Sequence, residues 1–155
     1  MKKPVKIILA ILAAGLAAYA YLQWMYQRAQ GETQAIAVEF VTMLSRNWDI
    51  KTLESIAHPA LLEEAKKQKK VLPDHLKIYS KLGQLKEPAH CSMLGAHHNT
   101  EKDKLYDLVQ YSCQAKYTAG DADIYLVLRN DTPDNTWRLL GLNIDSPIFS
   151  QTPKK

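Results

Sequence analysis

Both cysteines of the chain and three of its five histidines fall within one short stretch: His90, Cys91, His97, His98 and Cys113. Thiolates and imidazoles are the side chains that hold zinc and similar cations, and two thiols can also form a redox pair or a structural disulfide. The elements that carry them decide between these chemistries. The stretch reads as extended, and neighbouring side chains on a strand point to opposite faces. His97 and His98 therefore cannot share a cation, and neither can His90 and Cys91. Cys91 and His97 share a face, but six residues of strand hold them about 20 Å apart. No metal site and no cofactor is expected. The CxxC spacing that lowers a thiol pKa is absent as well. With "HNTEKD" as the turn, the centre of a hairpin falls near residue 101 or 102. Cys91 and Cys113 are equidistant from 102, so pairing brings them face to face. A Cys91–Cys113 disulfide is the expectation.

Other reactive side chains lack companions. Asp107 has the parity of an inward-facing residue, yet it is a single carboxylate. His58 follows the second helix. Lys66, Lys67, Lys69 and Lys70 form the one local basic cluster, which reads as a solvated helix face balanced by nearby glutamates rather than a lipid or partner contact. No GxSxG, HExxH, P-loop or dinucleotide-binding glycine pattern occurs, so no residue is assigned a catalytic role.

A disulfide needs an oxidising compartment, and the N-terminus bears on that. "MKKPVKIILAILAAGLAAYAYLQWMYQRAQ" opens with three lysines and continues from Ile7 to Tyr26 with Gln23 as the only strongly polar side chain. Twenty helical residues span roughly 30 Å, the thickness of a bilayer's hydrocarbon core. The lysines place the N-terminus in the cytoplasm, and Trp24 and Tyr26 suit the far interface. The competing reading is a cleavable signal, since Ala18-Tyr19-Ala20 has the form of a cleavage site. Residues 1–30 are thus read as an inner-membrane anchor or signal peptide, 31–146 as a periplasmic α+β domain, and 147–155 as a flexible tail. The formal charge of +4 does not change this. Four of the 20 basic residues lie in the first thirty, and the other 16 balance the 16 acidic ones, all of which follow residue 30. A neutral domain gives no support to a nucleic-acid partner.

After a polar break, "QRAQGET", the residues Ile36, Ala37, Phe40, Val41, Leu44 and Trp48 recur at helical spacing and predict a helix ending near Asn47. Asp49 is the expected N-cap of a short helix "IKTLESIA" that stops before Pro59. "PALLEEAKKQKKVL" and "PDHLKIYSKLG" continue as helix, with Gly83 at the end. From there the pattern becomes extended, in four runs separated by turn-rich segments. In "KLYDLVQYSCQAKY", Leu105, Val109, Tyr111, Cys113, Ala115 and Tyr117 share one parity, as on a half-buried antiparallel strand. The fold class is therefore α+β: an N-terminal transmembrane helix, then about three helices packed on a curved four-stranded antiparallel sheet.

The order of helices with "NWDIKTLESIAHP" between the first two, then "LKIYSKLGQLK" leading into a strand, then a closing strand "TWRLLGLNI", resembles the nuclear-transport-factor-2-like superfamily. The resemblance covers about residues 33 to 145. It implies helices folded on a curved sheet around a cone, with Trp48, Tyr111, Tyr117 and Trp137 as candidate lining of the cavity. The plainer reading of these rings is core filling with satisfied hydroxyls. The layout is similar to that of periplasmic assembly subunits of type IV secretion systems. The function expected is a non-enzymatic interaction or assembly module of a cell-envelope complex, with an envelope protein as partner. A periplasmic binder of a small apolar ligand, a small isomerase- or hydrolase-type enzyme and an immunity protein are the alternatives.

Overall fold

A computed structural model describes residues 3–67, 71–131 and 136–150; the side chains of residues 3–10, 26, 29 and 71 lie outside the description, as do Lys69 and Lys70 of the lysine cluster. Four helices precede four strands: α1 (Lys3–Asn47), α2 (Ile50–Ile56), α3 (Pro59–Lys67), α4 (Val71–Tyr79), β1 (His90–Glu101), β2 (Lys104–Lys116), β3 (Asp121–Asp131) and β4 (Thr136–Asp145). By contacts the chain divides into two units, 1–32 and 33–155.

In the first unit, the polar side chains look after themselves. Gln23 Nε2 donates to the Tyr19 hydroxyl one turn earlier (3.0 Å), and Arg28 pairs with Glu32 (3.6 Å) while lying over the Trp24 ring. The break expected at "QRAQGET" is instead helical. A glycine inside a helix costs only about 1 kcal/mol relative to alanine, and the Arg28–Glu32 pair spans Gly31 at the favourable i,i+4 spacing. Among the described residues, no helix is long and apolar enough to cross a membrane. The expected span starts at Ile7, so the side chains of its first four residues lie outside that statement.

In the second unit, the helical spacing predicted from the sequence buries Ala37, Phe40, Val41 and Leu44 against the sheet. Helix α1 ends where Trp48 takes a left-handed backbone (φ 48°), a conformation that costs a non-glycine residue about 1–2 kcal/mol. The indole repays this by packing between Tyr79 and Tyr117, with ring centroids 5.8 and 6.0 Å away. Asp49 then caps α2 by accepting from Thr52 N–H at 2.6 Å. At the end of α4, a 3-10 turn, Ser80–Leu82, leads to Gly83 at φ 79°, where a Cβ would lie 2.1 Å from Thr118 Oγ1. The next residues run beside the β2–β3 turn, with Ala119 N–H donating to Leu82 O, Thr118 N–H to Gln84 O and Lys86 N–H to Lys116 O.

The sheet is an antiparallel meander in the order β1-β2-β3-β4. The first turn is shorter than "HNTEKD": only Lys102 and Asp103 are unpaired, both at positive φ, as a two-residue hairpin requires. Two bulges interrupt the ladders, one at Leu94 in β1 and one at Leu140 in β4. Each adds twist and bends its strand. The alternation read in β2 holds from Val109 to Tyr117, all buried. Leu105 departs from it and is 63% exposed. Parity fixes the direction of its side chain, but at the hairpin end no helix covers it. The tail expected from residue 147 also differs: Pro147–Ser150 form a 3-10 turn, Ser146 Oγ donates to Asp121 O, and Phe149 packs on Tyr79 (5.8 Å). Apolar Ile148 and Phe149 are what hold it. Residues 151–155 lie outside the described ones.

Candidate functional site

Cys91 and Cys113 form a disulfide and are paired directly across β1 and β2. The histidines around them scatter. His90 lies on the outer face, opposite Gln114; His97 lies opposite Leu108, and His98 opposite Asp107. Among the described residues no group of three or more histidines, cysteines or carboxylates is arranged to hold a metal ion. His98 Nδ1 meets Asp107 Oδ1 at 2.5 Å, which gives that carboxylate a partner. The imidazole is 86% exposed, so water screens the pair and nothing encloses a reacting group beside it.

The most developed polar cluster was not foreseen as a cluster. His58 lies at the N-terminus of α3, 8% exposed, and its Nδ1 accepts the Ala60 N–H at 3.1 Å. A backbone N–H can only donate, so the ring proton sits on Nε2, which donates to Asp131 Oδ2 at 2.6 Å. The other Asp131 oxygen accepts from Arg129 Nε at 2.6 Å, and Arg129 reaches Glu101 at 3.1 Å. The guanidinium also lies over the Tyr106 ring, 3.9 Å from its centroid. Burial works against charge at Asp131, but hydrogen bonds from Arg129 and His58 outweigh it and hold the carboxyl below its usual range. The sequence signal was the shared parity of Arg129 and Asp131 in "LRND"; the link to His58, 73 residues away, had none.

Chemically this is a clamp. A catalytic histidine needs one ring nitrogen free for substrate while the other is oriented by a carboxylate. Both nitrogens of His58 are engaged inside the protein. The clamp ties the α2–α3 junction to the sheet, together with His58 N–H donating to Leu139 O at 2.7 Å.

The four aromatic candidates are placed as follows. Tyr111 and Tyr117 are fully buried, Trp48 nearly so, and Trp137 packs half-buried against the same core. Ser45 Oγ donates to Val41 O, so the Tyr117 hydroxyl donates to Ser45 at 2.7 Å; the Tyr111 hydroxyl meets Thr33 Oγ1 at 2.6 Å. Burial pushes the Tyr117 hydroxyl pKa up, against the opposing effect of Ser45. Trp48 Nε1 is buried without a hydrogen-bond partner among the described residues. None of the four lines the described clefts.

A cleft of about 580 Å³ lies at the outer face of the sheet and is bordered by Glu87, His90, Lys116, Asp121, Asp123 and Asp145. Lys116 is bound to Glu87 at 2.9 Å, while Asp123 and Asp145 stand directly opposite each other on β3 and β4. A second, more apolar groove of about 480 Å³ runs among Ile50, Leu62, Ala65 and Leu72, with Glu54 and Lys66 at its border.

Comparison with models of known families, with characterised proteins and with solved structures finds no match to this chain.

Proposed function

We propose that this chain is a membrane-anchored interaction module of a bacterial cell-envelope assembly, with its α+β domain in the periplasm and no catalytic activity. One observation carries the reading. Between residues 11 and 25, eight large apolar side chains, from Ile11 to Met25, stand 49% to 69% exposed along a single helix. An apolar surface of that extent in water is unfavourable, and a lipid phase is the cover its all-round apolarity fits. The proposed span is Ile7 to Tyr26.

Two further features support the reading. The Cys91–Cys113 disulfide is what an oxidising, exported compartment would form and keep. Three buried polar side chains of the domain are engaged within the protein: His58 through both nitrogens, Tyr117 through Ser45, Tyr111 through Thr33. The order of helices before a four-stranded antiparallel meander is also compatible with a nuclear-transport-factor-2-like domain of the assembly type. Fold alone does not choose among that superfamily's functions, so the partner has to be captured. A photoreactive residue at Tyr125, on the outer face of the sheet, in the full chain in its native host should yield a discrete adduct with an envelope protein or with the chain itself. Uncrosslinked monomer alone, at this and other surface positions, would count against the module.

A further inference from the structure

Two pairings are open to the segment of β1 between His90 and Gly95. In the structure, Cys91 lies opposite Cys113, Ser92 opposite Ser112 and Met93 opposite Tyr111; Leu94 is then supernumerary, and Gly95 lies opposite Gln110. With Cys91 as the extra residue instead, His90 would still face Gln114 and Gly95 would still face Gln110. Only the middle would change, Ser92 facing Cys113, Met93 facing Ser112 and Leu94 facing Tyr111. A shift of one residue exchanges the faces of a strand, so Ser92 and Leu94 would turn inward where Cys91 and Met93 now point. Either arrangement holds one bulge and interrupts the ladder to the same extent. The side chains exchange nearly like for like. Met93, partly buried against the core, gives way to Leu94, which is now 60% exposed, and a swap of methionine for leucine conserves volume. Buried Cys91 gives way to exposed Ser92, a side chain of similar size whose hydroxyl would meet the Cys113 thiol. Gln34 Nε2, which donates to Cys91 O at 2.8 Å, favours the present pairing by a single side-chain bond. The disulfide excludes the other pairing outright, because a bulged Cys91 could not stay bonded to Cys113.

We propose that the Cys91–Cys113 disulfide is a redox-sensitive register lock: when it is reduced, the bulge migrates from Leu94 to Cys91 and residues 92–94 turn over. The reductant is a dithiol. It gives two electrons and two protons, the S–S bond breaks, Cys91 and Cys113 become thiols, and the dithiol becomes a disulfide. Both sulfurs belong to buried residues, so the exchange proceeds through opening of β1, which has a neighbouring strand on one side alone. The oxidised chain presents Leu94 at the edge of the sheet, and the reduced chain presents Met93 on the outer face. Reduction thereby changes the surface offered to a partner without unfolding the domain.

The test uses the full chain. Cys91→Ala with Ser92→Cys leaves Cys113 in place, so a bond between positions 92 and 113 reports the turned-over segment directly; in the present pairing these side chains lie on opposite faces. Mild oxidation of the folded variant should close that bond, read as loss of both thiols to alkylation and as a linked peptide by mass spectrometry. Adding Leu94→Lys, which penalises burial at position 94, should lower the yield by about tenfold or more. Two free thiols in a chain that still unfolds cooperatively, or equal yields with and without Leu94→Lys, would overturn the inference. The native sequence gives a second reading that needs no variant to fold. After reduction with a phosphine, NMR should show the Leu94 methyl groups in contact with the Tyr111 ring and the Met93 methyl group released to solvent. Unchanged contacts for both residues in the reduced, folded chain would overturn the inference as well.

Discussion

Cys91 lies directly opposite Cys113, with Cα atoms 3.9 Å apart, because Leu94 is supernumerary in β1. On the turn side of Leu94, the ladder pairs Glu101 with Lys104 and Gly95 with Gln110, a register that would carry Cys91 to Gln114. The extra residue shifts the pairing by one and delivers the two thiols to each other. The bulge and the disulfide therefore belong to a single device that sets the register of the edge strand.

Deleting Leu94 should separate the thiols, so that both react with a maleimide without prior reduction, whereas Leu94→Ala should leave the disulfide intact. Cys91→Ser with Cys113→Ser should cost about 3 kcal/mol in chemical denaturation, since the bond closes a loop with a sequence separation of 22. Equal stability of the oxidised and reduced chains would contradict this.

The His58–Asp131 clamp has a signature in acid. The folded Asp131 pKa lies below its unfolded value near 3.9. Its contribution to stability is therefore present above that unfolded value and is lost as pH falls through the folded pKa. Asp131→Ala should destabilise the protein by about 1–3 kcal/mol at neutral pH, because it strands the His58 N–H and the Arg129 guanidinium. The gap from the native chain should close below about pH 4. Nitrogen NMR should find His58 protonated on Nε2; the opposite tautomer would refute the clamp.

At alkaline pH, the sign reverses. Burial raises the Tyr117 pKa above its usual value near 10, so its stabilising contribution is complete below that value and is lost as pH rises through the folded pKa. Tyr117→Phe should cost about 1 kcal/mol at neutral pH by removing the bond to Ser45. It should also make stability less sensitive to pH above about 10. Parallel stability curves for the two proteins would contradict the assignment.

Gly83 combines a left-handed backbone with a close approach to Thr118. Gly83→Ala should lower stability by at least about 2 kcal/mol. Adding Thr118→Ala should recover the steric part, since Thr118 Oγ1 is the nearest atom to the new methyl group, but not the backbone part. Full recovery would show that φ contributes nothing there.

Local signals were legible in the sequence where one residue sufficed to set them. Asp49 as a cap, Gly83 as a helix end and the alternation of Val109, Tyr111, Cys113, Ala115 and Tyr117 each act through neighbours only a few residues away. Features depending on what arrives from elsewhere were not. Leu105 obeys the alternation but finds no cover, and a bulge at Leu94 leaves no mark in a run of small and apolar residues. Helix through Gly31 wins because its penalty is small and its neighbours favour helix. The clamp joins residues 58, 101, 129 and 131 from three separate elements, and a sequence supplies the members of such a network without their meeting point.

The proposed function requires an exported domain held at the membrane by residues 7 to 26, and the mass of the intact chain in membrane fractions of its native host tests that most directly. The prediction is an uncleaved N-terminal segment in the membrane pellet, with Cys91 and Cys113 alkylated only after reduction. Recovery in the soluble fraction with both thiols free would contradict it; a disulfide-bonded chain beginning at Tyr21 would remove the anchor while sparing the export.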